Sequence, residues 1–289
     1  MRIVAFKKGA KSGLAVRRGD ELIDLSIAAP KLPNELGALL AMPGGLKAAK
    51  DAAKNAKGKA VIKGAITYLP PIANPSKIIC VGLNYLDHAK ESPYKDAPKY
   101  PVLFNRFVST FVAHGQPLLA PFLSPQFDYE GELVIVIGKK GRHIPKAKAL
   151  SYVAGYSIFN DGSVRDYQFK STQWMMGKNF DGTGAFGPDF VSADEVPAGA
   201  SGLKLETRLN GKVMQKANTR DMIFDTATLV ETCSSAMTLM PGDIIVSGTP
   251  AGIGHARVPP VYMKGGDVCE VEIEGIGVLR NPVRNEKKK

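Results

Sequence analysis

The sequence has few cysteines and no long apolar run. Its three cysteines, Cys80, Cys233 and Cys269, lie far apart in apolar surroundings. An odd number at such distances predicts reduced packing residues rather than disulfides or a zinc site. No apolar run reaches the roughly 18 residues of a membrane helix, and the first residues lack the features of a signal peptide. We therefore expect a cytoplasmic protein that has no membrane partner.

Two common catalytic loops are also missing. The sequence contains neither a phosphate-loop ending of the GK[ST] type nor a GxSxG nucleophile elbow, which argues against nucleotide hydrolysis and the common serine hydrolase plan. The segment GTGAFG, residues 182–187, has the spacing of a dinucleotide-binding motif, but Pro188 follows it directly. That motif requires a strand before it and a helix after it. We therefore interpret these glycines as a loop.

Positive charge is concentrated at the two ends of the chain. The net charge is +11, of which residues 1–63 contribute +8 and residues 284–289 contribute +3. The lysines are not interleaved with aromatic residues, as they are in many surfaces that bind single-stranded nucleic acid. We interpret the excess as a solvated surface and expect no nucleic-acid partner. The alternative is a non-catalytic protein that binds nucleic acid through these basic segments.

Hydrophobic residues make up 44% of the chain, which is enough for a large core. Residues 1–70 combine a meander of short strands with two short helices within 32–59, and they predict a small N-terminal α/β domain. Prolines between residues 70 and 75 mark a linker. Repeated short strands then predict a β-rich catalytic domain over residues 71–289, with one helix at 225–239.

The stretch FDYEGELVIVIGKKG, residues 127–141, places Glu130 and Glu132 at the start of a predicted strand. Alternate side chains of a strand point the same way, so the two glutamates share a face. Asp161 lies where another predicted strand ends, and one helical turn would place it beside Arg165 and Gln168. Three carboxylates form an all-oxygen site that suits Mg²⁺ or Mn²⁺. The alternative is a solvated strand end, with Asp161 capping a helix.

Seven segments, read in order, resemble the fumarylacetoacetate hydrolase family. They are GLNYLDHAKE, PVLFNRF, DYEGELVIVIGKKGRHI, VAGYSIFNDGSVRDYQ, QWMMGKNFDGTGAFGP, LNGKVMQKANTRDMIF and GDIIVSGTPAGIG. The resemblance covers residues 76–283, and residues 1–70 are similar to the small N-terminal domain of many members. It implies an α+β fold that is mainly β, with a mixed β-sandwich or β-roll catalytic domain, in a homodimer.

The resemblance also implies roles for individual residues. The family's metal ligands fall on Glu130, Glu132 and Asp161, which would hold Mg²⁺ or Mn²⁺. Its substrate-binding residues fall on Arg165, Gln168 and Thr249. Its catalytic residues fall on His88, Glu91 and Lys178. His88 would otherwise be interpreted as a surface loop histidine, and His114, His143 and His255 have no equivalent context and are interpreted as structural.

The function implied is metal-dependent hydrolysis of a carbon–carbon bond in a 2,4-diketo acid. An acylpyruvate or fumarylpyruvate would release pyruvate and a carboxylic acid, in the catabolism of aromatic compounds. His88, oriented by Glu91, would activate water, and Lys178 would stabilise the oxyanion. A mobile lid is predicted over residues 86–100, which are polar and contain two prolines.

Other reactions of the same family use similar chemistry. Decarboxylation of oxaloacetate-like acids and isomerisation of unsaturated diacids also proceed through an enolate, so both are alternatives. Decarboxylation needs no activated water, because CO₂ leaves unaided. The presence of His88 and Glu91 therefore favours hydrolysis.

Overall fold

The structure is a computed structural model that describes residues 1–91 and 97–288. The strands are β1 (Arg2–Lys8), β2 (Lys11–Arg18), β3 (Glu21–Asp24), β4 (Thr67–Tyr68), β5 (Ile78–Gly82), β6 (Val102–Asn105), β7 (Phe111–Ala113), β8 (Leu118–Ala120), β9 (Phe127–Asp128), β10 (Gly131–Ile137), β11 (Val153–Asp161), β12 (Ser163–Val164), β13 (Gly184–Ser192), β14 (Lys204–Leu209), β15 (Lys212–Asn218), β16 (Ile244–Val246), β17 (Val268–Ile273) and β18 (Gly277–Asn285).

The described residues form fewer helices than strands. The α-helices are α1 (Leu25–Ala28), α2 (Leu36–Ala41), α3 (Gly45–Asn55), α4 (Leu86–Glu91), α5 (Lys146–Ala149), α6 (Arg165–Gln168), α7 (Met175–Lys178) and α8 (Thr226–Ala236). Short 3₁₀ helices occupy Gly58–Ala60, Val108–Thr110, Leu150–Tyr152, Ala193–Glu195, Ala198–Ala200 and Thr219–Asp221. In the described part of the chain, no helix is long and apolar enough to cross a membrane.

Two mixed sheets organise the strands. The larger has eleven strands in the order β3-β2-β1-β13-β11-β10-β16-β5-β6, with β4 beside β1 and β7 beside β13. The smaller has five in the order β15-β14-β17-β18-β8, and β9 pairs with β12 in a separate ladder. Both sheets contain parallel pairs, since β5 runs parallel to β16 and β8 parallel to β18. The predicted α+β, mainly β class is confirmed.

The central strand β10 is buried on both faces. Leu133 and Ile135 face a core that both sheets share. Val134 and Val136 face a second core, to which α2 and α3 contribute. A strand covered on both sides needs apolar residues at successive positions, which explains the run LVIVI. The glutamates at the start of this strand are therefore carried into the interior.

The N-terminal region contains the predicted strand meander, β1 to β3, and the two predicted helices, α2 and α3. Its first strand joins the larger sheet, because Arg2 and Ile3 pair with Val191 and Phe190 of β13. Ladder hydrogen bonds therefore connect residues before and after position 70. The division into a 1–70 domain and a 71–289 domain stays a prediction.

Three further predictions have definite outcomes. The helix expected within 225–239 is α8, and the side chain of Asp225 accepts a hydrogen bond from the Thr228 N–H at 2.8 Å. The interpretation of GTGAFG as a loop is wrong, because Gly184 to Gly187 begin β13. A Cβ on Gly184 would lie 2.8 Å from the Phe159 ring, so this glycine allows the strand to pack closely. The three cysteines are free and buried, as expected.

Candidate active site

Antiparallel pairing of β10 with β11 brings three carboxylates together. Gly131 pairs with Asn160, so the start of β10 lies beside the end of β11. The Asp161 N–H donates to the Glu130 carbonyl oxygen at 2.8 Å. One carboxylate oxygen from each of Glu130, Glu132 and Asp161 lies within 4.8 Å of the others, and all three residues are buried. The strand geometry thus gathers the predicted metal ligands.

Buried cations surround this triad. The ammonium of Lys178 donates to Glu130 Oε2 at 2.5 Å and to Asp161 Oδ2 at 2.6 Å. Arg165 Nη2 donates to Glu130 Oε1 at 2.6 Å. Arg106 Nη1 donates to the other oxygen of Asp161. Two of the three carboxylates therefore have two cationic partners each.

The third carboxylate, Glu132, is bonded differently. Its Oε2 accepts the Gly248 N–H at 2.5 Å. Gly248 has φ of +96°, and a Cβ there would lie 2.8 Å from Asn84 Cβ, so another residue would disturb this contact. The loop that follows β16 is therefore held against the triad by a glycine.

The pKa values follow from these contacts. Burial would raise the pKa of Glu130, but the charges of Arg165 and Lys178 outweigh it and hold that pKa well below its usual value. The pKa of Glu132 is raised, first by burial and then by the negative charges of Asp161 and Glu130. Burial would lower the pKa of Lys178, but Asp161 and Glu130 outweigh it and raise the pKa. Among the described contacts of the triad, Glu132 is thus the carboxylate that has no cationic hydrogen-bond partner.

The donor set fits a divalent cation. Glu130, Glu132 and Asp161 offer hard oxygen ligands within reach of one another, and oxygen donors are preferred by ions such as Mg²⁺ and Mn²⁺. A divalent ion would supply the positive charge that Glu132 lacks. These three residues therefore form a candidate divalent metal site.

His88 and Glu91 lie on one face of α4, as their spacing predicts. His88 Nδ1 lies 3.0 Å from Glu91 Oε1, and His88 is only 7% exposed. The Gly252 N–H donates to both Glu91 oxygens, at 3.1 and 3.0 Å. A hydrogen-bonded carboxylate that holds one imidazole nitrogen leaves the other nitrogen available for proton transfer. The predicted lid falls partly on residues 92–96, which lie outside the described residues.

The three predicted substrate-binding residues already have partners in the structure. Arg165 Nη1 donates to Gln168 Oε1 at 2.9 Å, which leaves the Gln168 amide nitrogen as a donor. Thr249 Oγ1 donates to the Gly131 carbonyl oxygen at 3.1 Å and accepts from Gln215 Nε2 at 2.8 Å.

The prediction that one helical turn holds Asp161, Arg165 and Gln168 is wrong for the aspartate, because Asp161 pairs with Gly184 at the end of β11.

All nine predicted site residues line one cavity. They are His88, Glu91, Glu130, Glu132, Asp161, Arg165, Gln168, Lys178 and Thr249. Apolar side chains complete the wall, namely Val81, Phe104, Phe169, Trp174 and Ile253. A polar end beside an apolar wall is typical of a small-molecule site.

Sequence reasoning missed three polar residues around this cavity. Arg106 is buried and pairs with Asp161. Asp128 is buried and accepts from Arg165 Nε at 2.9 Å. His255, which we interpreted as structural, lines the cavity. Asp128 could have been found, because it continues the alternation of Glu130 and Glu132 by two positions.

Comparisons with known proteins agree with this arrangement. The family model described as fumarylacetoacetate (FAA) hydrolase C-terminal matches residues 77–284. The chain is 38% identical, over 98% of its length and 90% of the relative's, to the mitochondrial oxaloacetate tautomerase fahd2 of Xenopus laevis.

Solved structures give the same result. The fumarylacetoacetate hydrolase of Exiguobacterium antarcticum is 34% identical with a TM-score of 0.84, covering 99% of this chain and 100% of the other. The maleylpyruvate hydrolase of Sphingobium sp. SYK-6, solved with manganese(II) and pyruvate, is 28% identical with a TM-score of 0.81 and the same coverage. The family model, the relative and the solved structures therefore point to one family.

Proposed function

Because the chain belongs to the fumarylacetoacetate hydrolase family, we propose that it is a divalent-metal-dependent enzyme that interconverts the keto and enol forms of oxaloacetate. The observation that carries this proposal is the buried triad of Glu130, Glu132 and Asp161 in one cavity with His88 and Glu91. The 38% identity to an oxaloacetate tautomerase over nearly the whole chain supports oxaloacetate as the substrate.

Glu130, Glu132 and Asp161 would hold Mg²⁺ or Mn²⁺. The bound ion would withdraw electron density from the 2-oxo group of the substrate and stabilise the negative charge that develops on its oxygen. The manganese(II) and pyruvate bound to the Sphingobium maleylpyruvate hydrolase support both the metal class and a 2-oxo acid ligand.

His88 would transfer the proton. With Nδ1–H donated to Glu91, Nε2 carries a lone pair that can take a proton from C3 of the keto acid. The C–H electron pair then forms the C2–C3 double bond, and the 2-oxo oxygen becomes a hydroxyl when the same proton is returned to it. No atom is gained or lost, so a single base suffices.

The other residues would bind and orient. Gln168 and Thr249 line the cavity, and the Gln168 amide nitrogen can donate to the substrate's 2-oxo acid end. The Thr249 hydroxyl donates its hydrogen to the Gly131 carbonyl oxygen, so it would have to rotate to donate to the substrate. Arg165 donates to Asp128, Gln168 and Glu130, one bond from each guanidinium nitrogen. It would position Glu130 and Gln168, and the second N–H group on each Nη could contact the substrate. Lys178, which donates to Glu130 and Asp161, would hold positive charge beside the developing oxyanion.

Hydrolysis of an acylpyruvate is the second candidate. The observation in its favour is the His88–Glu91 pair itself, which can activate water as well as it can take a proton from carbon. The Sphingobium maleylpyruvate hydrolase supports it, at a lower identity of 28%. Decarboxylation of oxaloacetate would use the same triad without the base.

The test compares three reactions of one preparation. The protein is stripped with chelator and supplied with Mg²⁺ or Mn²⁺. Ultraviolet absorbance then follows the enol of oxaloacetate, while lactate dehydrogenase detects pyruvate released from oxaloacetate or from acetylpyruvate. Metal-dependent loss of the enol without pyruvate supports the tautomerase. Metal-dependent pyruvate from acetylpyruvate, with no effect on the enol, would overturn it in favour of the hydrolase.

Three earlier expectations continue as proposals. We propose a homodimer, a cytoplasmic location and a place in the catabolism of aromatic compounds. Size-exclusion chromatography with light scattering tests the first. Fractionation of cells that express the tagged chain tests the second, and growth of a deletion strain on aromatic acids tests the third.

A further inference from the structure

A second histidine in the cavity has no role in the proton transfer described above. His255 is half-buried, and its Nδ1 lies 2.8 Å from the hydroxyl oxygen of Tyr262. Its ring packs against Phe169, with ring centres 5.5 Å apart. Its backbone N–H donates to Asp128 Oδ2 at 2.9 Å. These three contacts hold the ring and the backbone of His255 in place.

Tyr262 and Nδ1 share one hydrogen bond, in which the phenol hydroxyl either donates to Nδ1 or accepts from Nδ1–H. Burial, followed by the charge of Asp128, raises the pKa of Tyr262, so the phenol keeps a proton, and we assign it as the donor to Nδ1. Burial, followed by the charge of Arg165, lowers the pKa of His255, which favours the neutral ring. A neutral imidazole that accepts at Nδ1 carries its hydrogen on Nε2. Nε2–H is therefore a donor.

His255 differs from the other basic residues in the described cavity wall. His88 contacts Glu91, Arg165 contacts Glu130, and Lys178 contacts Glu130 and Asp161. The ring of His255 contacts a hydroxyl instead of a carboxylate. Because its ring contacts no carboxylate of the described cavity wall, His255 is the basic side chain available to an acidic group of the substrate.

The loop after β16 carries His255 along the cavity. The Gly248 N–H contacts the triad at Glu132, and the Gly252 N–H contacts Glu91. His255 follows three residues later and also lines the cavity. Residues 248–255 thus contact Glu132 and Glu91 and add His255 to the cavity wall.

We propose that His255, held by Tyr262, is a specificity-determining residue that donates Nε2–H to the carboxylate at the substrate end remote from the 2-oxo acid group. This inference rests on the proposed function, in which that group is the C4 carboxylate of oxaloacetate. A substrate with an apolar end, such as a methyl group, would gain nothing from the same donor. The residue therefore selects 2-oxo dicarboxylates over 2-oxo monocarboxylates.

The test measures binding, so that it is independent of turnover. Dissociation constants of oxaloacetate and 2-oxobutanoate, which has a methyl group in place of the C4 carboxylate, are determined by titration calorimetry on the Mn²⁺-loaded protein. His255→Leu removes the donor at similar volume, His255→Gln retains an N–H donor, and Tyr262→Phe removes the partner. His143→Asn is the control, because His143 is exposed and outside the cavity wall.

We expect the wild type and His143→Asn to prefer oxaloacetate. In His255→Leu that preference should fall about tenfold to a hundredfold, the usual effect of losing a hydrogen bond to a charged group. His255→Gln should retain part of the preference, and Tyr262→Phe should lower it. An unchanged preference in His255→Leu, or a wild type with no preference, would overturn the inference. A wild type that prefers oxaloacetate but does not turn it over would overturn only the proposed reaction.

Discussion

Arg106 is the clearest test of the electrostatics, because its surroundings are fully described and buried. Its guanidinium donates to Asp161, to Thr183 Oγ1 at 2.8 Å and to the Gly162 carbonyl oxygen at 3.2 Å. It also lies 5.6 Å from the centre of the Phe159 ring. Arg106→Met removes the charge and every donor while filling much of the space.

Removing one partner of a buried ion pair leaves an uncompensated charge and typically costs about 3–5 kcal/mol. Lys178 still contacts Asp161 in the variant, which places our expectation near the lower value, about 3 kcal/mol. At roughly 2–4 °C per kcal/mol for a chain of this size class, the melting temperature should fall by about 6–12 °C. A stable domain has only about 5–15 kcal/mol in total, so the loss is large.

The assay is urea unfolding for the free energy and thermal unfolding for the melting temperature, both followed by circular dichroism in the presence of chelator, since a bound metal ion would add its own stabilisation. Lys47→Met is the matched control, because Lys47 and Asp51 form an ion pair at 2.7 Å while being 82% and 61% exposed. Exposed pairs are screened by solvent, so no measurable change is expected. A loss for Arg106→Met that is no larger than the control's would refute the reasoning.

Three further predictions follow from the same contacts. Glu130→Gln should weaken Mn²⁺ binding at least tenfold in a titration monitored by electron paramagnetic resonance, and unchanged affinity would remove Glu130 from the ligand set. His88→Ala should slow enol loss and acylpyruvate hydrolysis about 100-fold or more but affect oxaloacetate decarboxylation much less, and equal losses in all three would contradict its role as a base. Burial lowers the pKa of His114, whose Nδ1 accepts the Arg280 N–H at 3.1 Å. Since the folded state resists protonation there, stability should fall as pH drops through the unfolded histidine pKa of about 6.5, and urea unfolding of His114→Gln should show a smaller loss between about pH 7 and 5.5.

Much of the site could be predicted because strand geometry is local. Alternation places Glu130 and Glu132 on one face, and the end of a neighbouring strand adds Asp161. A spacing of three places His88 beside Glu91 once the segment is helical. Periodicity predicts these local proximities, whereas the roles of the residues came from the resemblance to the family. The structure brings all of these residues into one cavity.

The remainder depends on contacts between distant segments. Arg106 reaches Asp161 across 55 residues, and no periodicity connects them. His255 enters the cavity because the loop after β16 is attached through the N–H groups of Gly248 and Gly252. The pairing of β1 with β13 is similarly long-range, so a proline-rich linker at residues 70–75 does not reveal that both sides share one sheet.

The His88–Glu91 pair suits two kinds of chemistry. The site residues therefore specify the reaction less completely than the sequence specifies the fold. The sequence favours hydrolysis on the ground that decarboxylation needs no activated water. Tautomerisation, however, also needs a base, which must reach C3 directly. In a hydrolase a water molecule must fit between that base and the distal carbonyl carbon. The group beyond C3 therefore decides which of the two reactions the His88–Glu91 pair can carry out.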